Sequence, residues 1–324
     1  MNKLYPFKFQ PIYKSVIWGG SQIKEFKGGT HSDSDRIGES WEISGLENQL
    51  SVVANGEFEG VDIKELLTKF GADILGKDIY AKTGNLFPIL IKFLDVSSDL
   101  SIQVHPNNIM ASERHNSLGK TELWYVIKSD DKSHLYSGFS KTVTKEEFKS
   151  HIYNNSVTDI LAKFSPKPRD LFYIPAGRIH SICAGNFMVE IQQTSDITYR
   201  VYDYDRVDVN GKKRELHTQL ASEALDYNIS DDTFSHADMV YDKELLLKRC
   251  DYFTSSVINL TKSFRFPIDN SFKILVITSG DGKIIDDNGT ITEIKQGETI
   301  LIPAAIKYVD IIPNVELEVL TTFI

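Results

Sequence analysis

The chain is dominated by short runs in which apolar residues alternate with polar ones. Typical examples are FMVEIQQT (187–194), ITYRVYDY (197–204) and VELEVLTTF (315–323), which are rich in Val, Ile, Tyr and Phe. Gly, Asn, Asp or Pro separate such runs, and this pattern is typical of short antiparallel strands joined by turns. The pattern therefore predicts a mostly β fold.

Helical periodicity occurs in only a few places. Apolar residues recur every three or four positions in VDIKELLTKFGADIL (61–75), VTKEEFKSHIYNN (143–155), SVTDILAKF (156–164) and LHTQLASEALDY (216–227). This spacing places them on one face of a helix. We expect these four segments to be helices inserted into the β scaffold.

The best candidate for a domain boundary is the polar stretch NISDDTFSHAD (228–238), after which the β pattern resumes. We therefore predict a domain of residues 1–240 with helical insertions and a smaller β domain of residues 241–324. The segments DLFYIPAGRIHSI (170–182) and GETILIPAAIKYV (297–309) echo each other, since both read as a strand, Ile-Pro-Ala and a further apolar stretch. The second segment has no counterpart of His180, so we expect the smaller domain to have a similar β structure without this candidate metal ligand.

Composition and charge narrow the class of protein. The 324 residues are 41% apolar and 25% charged, as in ordinary soluble globular proteins. The net charge of −9 is dispersed, which argues against nucleic acid or an anionic membrane as a partner. The N-terminal stretch lacks the apolar segment of a signal peptide, and no run approaches the roughly 18 apolar residues of a membrane span, so we expect a cytoplasmic protein. Cys183 and Cys250 have no paired spacing, which supports neither a disulfide framework nor a thiolate zinc site.

Three segments carry side chains that a divalent metal accepts. In LSIQVHPN, Gln103 and His105 alternate with apolar residues and so share one face of a strand. Glu122 begins the apolar run ELWYVI, with Lys120 on the same face by parity. His180 follows a Pro-x-Gly turn. Imidazole and carboxylate groups are normal zinc ligands, and two histidines with one carboxylate leave positions open for water or substrate.

The alternative interpretation is that His105 and His180 are hydrogen-bonded core residues. Two such histidines beside turn residues, together with a strand glutamate, favour the metal site. Gln103 could add its amide oxygen as a further ligand. His217 could support the site or lie on the surface, and we expect the other histidines to face solvent: His31, His115, His134, His151 and His236.

Taken in order along the chain, several motifs resemble the type I mannose-6-phosphate isomerases of the short bacterial kind, which belong to the cupin superfamily. The resemblance covers about the first two thirds of the chain, and the part after about residue 240 matches only loosely. The matching motifs are YKSVIWGG (13–20), GESWEIS (38–44), FPILIKFLD (87–95), LSIQVHPN (100–107), GKTELWYV (119–126), IPAGRIHSI (174–182) and EIQQTSDITYRVYDYDR (190–206).

The resemblance implies a cupin, jelly-roll-like barrel with helical insertions, followed by a second, degenerate cupin-like domain. It implies one zinc ion per chain, bound by Gln103, His105, Glu122 and His180. The implied reaction interconverts mannose 6-phosphate and fructose 6-phosphate through proton transfer by way of an enediol or enediolate. It also implies that Arg200 is an active-site arginine, and that the partner of the protein is a small sugar phosphate.

Three cations could serve this chemistry. Arg200 could form an ordinary ion pair with Asp203 or Asp205, or its planar guanidinium could bind an oxyanion or phosphate. Lys92 interrupts an apolar strand, so it could pair with a buried carboxylate or reach the substrate. We expect Arg200 and Lys120 to act in catalysis and, with Lys92, to bind substrate. The base stays open between a lysine, a histidine, a carboxylate such as Glu190 and metal-bound water.

Two rival functions remain at this stage. An iron-dependent cupin oxygenase could use two histidines and one carboxylate. A non-catalytic cupin that binds sugar phosphates could keep the same shape without turnover. The amide ligand and the cations suited to a phosphorylated sugar favour the isomerase over the oxygenase, and the complete set of candidate residues argues against the non-catalytic protein.

Overall fold

The computed structural model describes residues 3–29, 36–207 and 211–324. Strands account for 42% of the residues and helices for 18%, which confirms the mostly β prediction. The α-helices of the described part are α1 (Gln22–Phe26), α2 (Ile63–Leu75), α3 (Lys77–Thr83), α4 (Asn108–His115), α5 (Lys145–Tyr153) and α6 (Thr218–Ala224). The first strands are β1 (Phe7–Lys8), β2 (Ile12–Lys14), β3 (Glu39–Ile43), β4 (Gly45–Leu46), β5 (Gln49–Leu50), β6 (Ile89–Val96), β7 (Ile102–Val104), β8 (Glu122–Ser129), β9 (Leu135–Phe139), β10 (Leu161–Phe164) and β11 (Asp170–Ile174). The later strands are β12 (His180–Ile182), β13 (Asn186–Gln193), β14 (Tyr199–Tyr202), β15 (Phe234–His236), β16 (Glu244–Arg249), β17 (Thr254–Leu260), β18 (Phe264–Pro267), β19 (Lys273–Asp286), β20 (Ile291–Lys295), β21 (Thr299–Ile302) and β22 (Tyr308–Phe323).

Three of the four expected helices form. The α2 helix is capped by Asp62, whose carboxylate accepts a hydrogen bond from the backbone of Glu65, and α5 begins with a capping box between Thr144 and Glu147. The prediction of a helix at 156–164 is wrong, because residues 157–160 form a 3₁₀ helix and residues 161–164 form β10. Pairing of β10 with β9 buries the same apolar positions that a helix would have buried, so tertiary contacts override the local periodicity. None of the described helices is long and apolar enough to cross a membrane.

Two sheets of the N-terminal part face each other. The five-stranded sheet has the order β10-β9-β12-β7-β14, and the seven-stranded sheet has the order β15-β11-β8-β13-β6-β3-β2. A common core of buried apolar side chains from both sheets lies between them, including Leu135 and Ile182 from the first sheet and Leu94, Trp124 and Ile174 from the second. The described strands form this cupin-like sandwich without closing into a continuous barrel.

The third large sheet is built mainly from the C-terminal part. It has the order β1-β21-β19-β22-β17-β16, with β18 and β20 attached to β22 and β19. One of its faces packs on the far side of the seven-stranded sheet through a large apolar cluster. The N-terminal strand β1 also belongs to it, since Phe7 pairs with Leu301. This sheet thus consists of strands β16–β22 and one N-terminal strand, β1. The domain division near residue 240 stays a prediction.

The internal echo of the sequence corresponds to two similar strand-turn-strand units. In the first, β11 leads through Pro175 and Gly177 into β12, and in the second, β21 leads through Pro303 into β22. Gly177 has φ = +91°, and a Cβ there would lie 3.0 Å from the carbonyl oxygen of Ala224. Glycine is therefore required at the turn that delivers His180.

A polar network fastens the seven-stranded sheet to the C-terminal sheet. Glu318 of β22 accepts hydrogen bonds from the Tyr125 hydroxyl (2.9 Å) and the Thr278 hydroxyl (2.7 Å), and it forms an ion pair with Arg169. Arg169 also donates to the carbonyl of Ala237 at 2.9 Å. The arginine and the glutamate side chains are only 13% and 15% exposed, so each needs the other as a partner.

Replacing Arg169 by alanine should therefore lower the free energy of unfolding by about 3 kcal/mol, because it leaves the Glu318 carboxylate without its cation. Urea denaturation measures this loss. Tyr125→Phe is the matched control, since it removes only one hydrogen bond to the same carboxylate and should cost about 1 kcal/mol. Equal losses in the two variants would show that the ion pair does not hold the sheets together.

Candidate metal centre and active site

Three of the predicted ligands meet between the two facing sheets. His105 follows β7 and His180 begins β12, both in the five-stranded sheet, whereas Glu122 begins β8 of the seven-stranded sheet. Their ligand atoms lie within 4.8 Å of one another. All three side chains are at most 1% exposed. The structure thus brings together residues that are 17 to 75 positions apart in the sequence.

Hydrogen bonds fix the tautomer of both histidines. The Nδ1 of His105 lies 2.8 Å from the carbonyl oxygen of Ile197, and the Nδ1 of His180 lies 2.8 Å from that of Arg178. A carbonyl can only accept, so each Nδ1 carries the proton and each Nε2 keeps a free lone pair. These Nε2 atoms lie 3.3 Å and 3.8 Å from the Glu122 carboxylate. Metal-binding histidines are commonly oriented in this way.

Burial and charge set the protonation states of the cluster. Burial, followed by the nearby Lys120 ammonium, lowers the pKa of His105 to about 4, and burial also lowers the pKa of His180. Burial alone would raise the pKa of the Glu122 carboxyl, but Lys120 and the two histidines hold it well below its usual range. Near neutral pH the cluster therefore contains two neutral imidazoles and one carboxylate, the forms that bind a metal.

The Glu122 carboxylate shows that the cluster fits a cation. Lys120 Nζ lies 2.7 Å from its Oε1, yet neither carboxylate oxygen accepts a hydrogen bond of normal geometry from the described residues. Buried polar atoms without such partners are costly, and a divalent cation would satisfy both oxygens. Gln103 lies beside them, with its Nε2 3.4 Å from the Nε2 of His180. A half-turn of this amide would present its oxygen instead, so Gln103 fits as a fourth ligand.

A cavity of about 270 Å³ opens beside the cluster. Gln103, which lies 3.4 Å from His180, and Lys120, which pairs with Glu122, form part of its wall, so the cavity adjoins the cluster. The other predicted site residues, Lys92 and Arg200, line the same cavity. Further residues of the wall were not among the predicted site residues: Trp18, Glu39, Trp41, Asp196 and Arg214.

Lys92 is held by carboxylates inside the cavity wall. Its Nζ lies 2.8 Å from Glu190 Oε1 and 3.6 Å from Glu39 Oε2. Burial alone would lower the pKa of Lys92, but these two carboxylates raise it above its usual value. The other Glu190 oxygen accepts a hydrogen bond from the Trp124 indole at 3.2 Å. Lys92 thus pairs with a buried carboxylate and also lines the cavity, and its contact with substrate stays a prediction.

Arg200 is half-buried, and no carboxylate of the described residues pairs with it. It lies on β14 opposite Gln103 of β7. Its guanidinium donates to the Ser101 hydroxyl (3.3 Å) and to the carbonyl of Glu215 (3.0 Å). Asp203 instead binds two other arginines, so the ion pair considered for Arg200 does not form with it. The positive charge of Arg200 therefore remains available to an anion in the cavity.

His217 supports Arg200 directly. Its Nδ1 accepts a hydrogen bond from the backbone N–H of Arg200 (3.2 Å), and the backbone N–H of His217 donates to the Arg200 carbonyl (2.7 Å). The remaining histidines lie outside the cluster: His115 and His236 are exposed, His134 and His151 are partly buried, and His31 lies outside the described residues.

Two β units and a buried His-Glu-His cluster beside a charged cavity define a cupin-type protein with a metal-competent site. A family model of the phosphomannose isomerase type I catalytic domain matches residues 6–133, and one of the mannose-6-phosphate isomerase cupin domain matches residues 243–320. The chain belongs to the type I phosphomannose isomerases, a family of aldose–ketose isomerases, as the sequence motifs predicted.

Similar proteins resemble the chain over almost its full length. It is 35% identical to the probable mannose-6-phosphate isomerase GmuF of Bacillus subtilis over 93% of this chain and 94% of that protein. It is 36% identical to the mannose-6-phosphate isomerase ManA of the same organism over 92% of this chain and 93% of that protein. The crystal structure of the mannose 6-phosphate isomerase from Bacillus subtilis superimposes with a TM-score of 0.85 at 30% identity and covers 99% of this chain and 100% of its own.

If the cluster holds a metal, Glu122→Gln should release it, because the amide removes the negative charge that compensates the cation. Elemental analysis of purified protein should find about one metal ion per chain in the wild type and a large loss in the variant. Glu190→Gln is the matched control, since this carboxylate is buried in the same cavity wall but pairs with Lys92, and its variant should keep the metal. Equal metal content in Glu122→Gln and the wild type would contradict the assignment.

Proposed function

We propose that this chain interconverts mannose 6-phosphate and fructose 6-phosphate, with one zinc ion held by His105, Glu122, His180 and Gln103. The observation that carries the proposal is the buried cluster of two neutral imidazoles and one ionised carboxylate next to a charged cavity, whose wall includes the adjoining side chains of Gln103 and Lys120. The curated relatives named as mannose-6-phosphate isomerases, which match the chain over more than nine tenths of its length, support the choice of substrate.

Zinc suits the proposed ligands, because nitrogen from two imidazoles and oxygen from a carboxylate are its usual donors. When bound, the ion would act as a Lewis acid toward the carbonyl oxygen of the substrate. The hydrogen bonds from His105 and His180 to backbone carbonyls fix the rings before the metal enters.

Glu190 is the proposed base. Its carboxylate is buried and lines the cavity, with Lys92 on one oxygen and the Trp124 indole on the other. We assign it the transfer of the proton that leaves C2 of mannose 6-phosphate and enters at C1 to give fructose 6-phosphate. The two histidines are less suited to this step, since their free nitrogens face Glu122. Lys92 acts in this scheme by holding Glu190 in place and by presenting its ammonium to the substrate.

Lys120 is the proposed partner of the substrate oxygens. Its Nζ lies 2.7 Å from Glu122 Oε1 and 3.3 Å from His105 Nε2, and it lines the cavity. From this position the ammonium stabilises the negative charge that develops on the oxygens of C1 and C2 as the enediolate forms, and it exchanges protons with them. Arg200, which has no carboxylate partner among the described residues, is the proposed ligand for the phosphate group. A cytoplasmic location stays a prediction.

A coupled assay should detect fructose 6-phosphate formed from mannose 6-phosphate by the purified protein, and unphosphorylated mannose should be a far poorer substrate. Turnover of another aldose phosphate but not of mannose 6-phosphate would show that the substrate is wrong. Iron in the purified protein together with uptake of oxygen would replace the isomerase by a cupin oxygenase.

Glu190→Gln should lower kcat by between about 100-fold and 10,000-fold, because the amide cannot accept the C2 proton. It should equally slow the exchange of that proton with deuterated solvent, measured by NMR, while the bound metal is retained. The matched variant Glu39→Gln removes the other carboxylate near Lys92 and should affect kcat much less. A Glu190→Gln variant with normal exchange would place the base elsewhere.

A further inference from the structure

A second arginine, Arg214, shares the cavity with Arg200. It lies in the polar segment KKREL (212–216) that precedes α6, where the sequence shows no strand pattern. Its side chain is 28% exposed and forms part of the cavity wall. The segment therefore delivers a charged group to the same cavity from outside the two sheets.

Asp203 holds the Arg214 guanidinium in a fixed plane. The carboxylate binds it through both oxygens, with Arg214 Nε donating to Oδ2 at 2.8 Å and Nη2 donating to Oδ1. Asp203 is only 5% exposed. A two-point contact of this kind restricts the orientation of the guanidinium and leaves its remaining N–H groups free to donate elsewhere.

The positive charge around Asp203 exceeds the negative charge. Arg206 binds the same carboxylate, so two guanidinium groups share one aspartate. Arg200 adds a third guanidinium nearby, and burial together with the neighbouring Arg214 lowers its pKa. The two lysines of the cavity wall are already paired, Lys92 with Glu190 and Lys120 with Glu122. The wall also contains the carboxylates of Glu39 and Asp196, so the excess of positive charge is local to the arginines around Asp203.

The guanidinium of Arg200 lies to one side of the candidate metal ligands. Arg200 reaches back along the chain to Ser101, which precedes the ligand Gln103 by two residues and is therefore displaced from it by roughly 6 to 7 Å in extended backbone. In a hexose 6-phosphate the phosphate is at the opposite end of the carbon chain from C1 and C2. One bound substrate can therefore place its reacting carbons next to the metal ligands and its phosphate at the arginines.

We propose that Arg214, positioned by Asp203, is a second ligand for the substrate phosphate beside Arg200, and that it contributes to the requirement for a phosphorylated sugar. The inference rests on the proposed function for the identity of the sugar. Its physical basis is the excess of guanidinium groups at the cavity, which a phosphate dianion would neutralise. Arg206 binds the same aspartate but is absent from the cavity wall, so it has only a structural contact there.

This difference between Arg214 and Arg206 provides a matched pair of variants. Arg214→Gln should raise KM for mannose 6-phosphate by about 10- to 100-fold with little change in kcat, because it removes charged hydrogen bonds to a group remote from the reacting carbons. Arg206→Gln removes a guanidinium from the same carboxylate and should leave KM nearly unchanged. Asp203→Asn should raise KM less than Arg214→Gln does, again without lowering kcat.

Binding of inorganic phosphate to the metal-loaded protein, measured by calorimetry, gives a readout that does not depend on turnover. Phosphate should bind Arg214→Gln more weakly than Arg206→Gln or the wild type. Equal phosphate affinity and equal KM in the two arginine variants would overturn the inference. If the wild type binds phosphate through Arg214 but does not isomerise mannose 6-phosphate, the proposed function fails and this phosphate site stands. Should Arg214→Gln not fold, Arg214→Lys, which keeps the charge but loses the planar fork, carries the same comparison with an expected intermediate effect.

Discussion

The carboxylate of Glu122 is the charge around which the active part of this protein is organised. It is 1% exposed and lies between two facing β sheets, where an uncompensated carboxylate would be strongly destabilising. Lys120 provides one positive charge at 2.7 Å, and the two neutral histidines turn their lone pairs toward the same point. A divalent cation would complete this arrangement, because it would satisfy the carboxylate and both nitrogens at once.

The sandwich architecture explains how such a cluster can form. Each sheet contributes part of the cluster, so the site exists only when the five-stranded and seven-stranded sheets pack against each other. The C-terminal sheet supplies no ligand to the cluster, but it covers the opposite face of the seven-stranded sheet and is tied to it by the Glu318 network. One face of the seven-stranded sheet thus carries part of the candidate site, and the other face packs against the C-terminal sheet and stabilises the fold.

Much of the site was accessible from the sequence because strands alternate. The two-residue spacing of Gln103 and His105, and of Lys120 and Glu122, places each pair on one face without knowledge of the fold. The sequence motifs predicted membership of the type I phosphomannose isomerases, and the similarity to known proteins confirms it. Strand pairing could not be predicted in the same way. The local pattern of residues 156–164 is that of a helix, but β10 forms there because β9 is available as its partner. Phe7 joins a sheet whose other strands lie far away in the chain.

The partners of charged residues were the least predictable feature. Asp203 follows Arg200 by three residues, yet it binds Arg206 and Arg214, and the charge of Arg200 is left for the cavity. Arg214 itself lies in a loop whose composition gives no sign of a site. Both outcomes depend on side-chain directions and on a loop conformation that tertiary packing decides, so no local pattern in the sequence reports them.

The most direct test of the central claim is the rate of fructose 6-phosphate formation from mannose 6-phosphate, measured on untreated protein, on protein stripped of metal and on stripped protein reloaded with zinc. We expect activity in the first and third samples and its loss in the second, with elemental analysis showing that activity follows bound zinc. Full activity in protein shown to be free of metal would contradict it, because the Glu122 cluster would then be a structural feature of the core rather than the centre of the reaction.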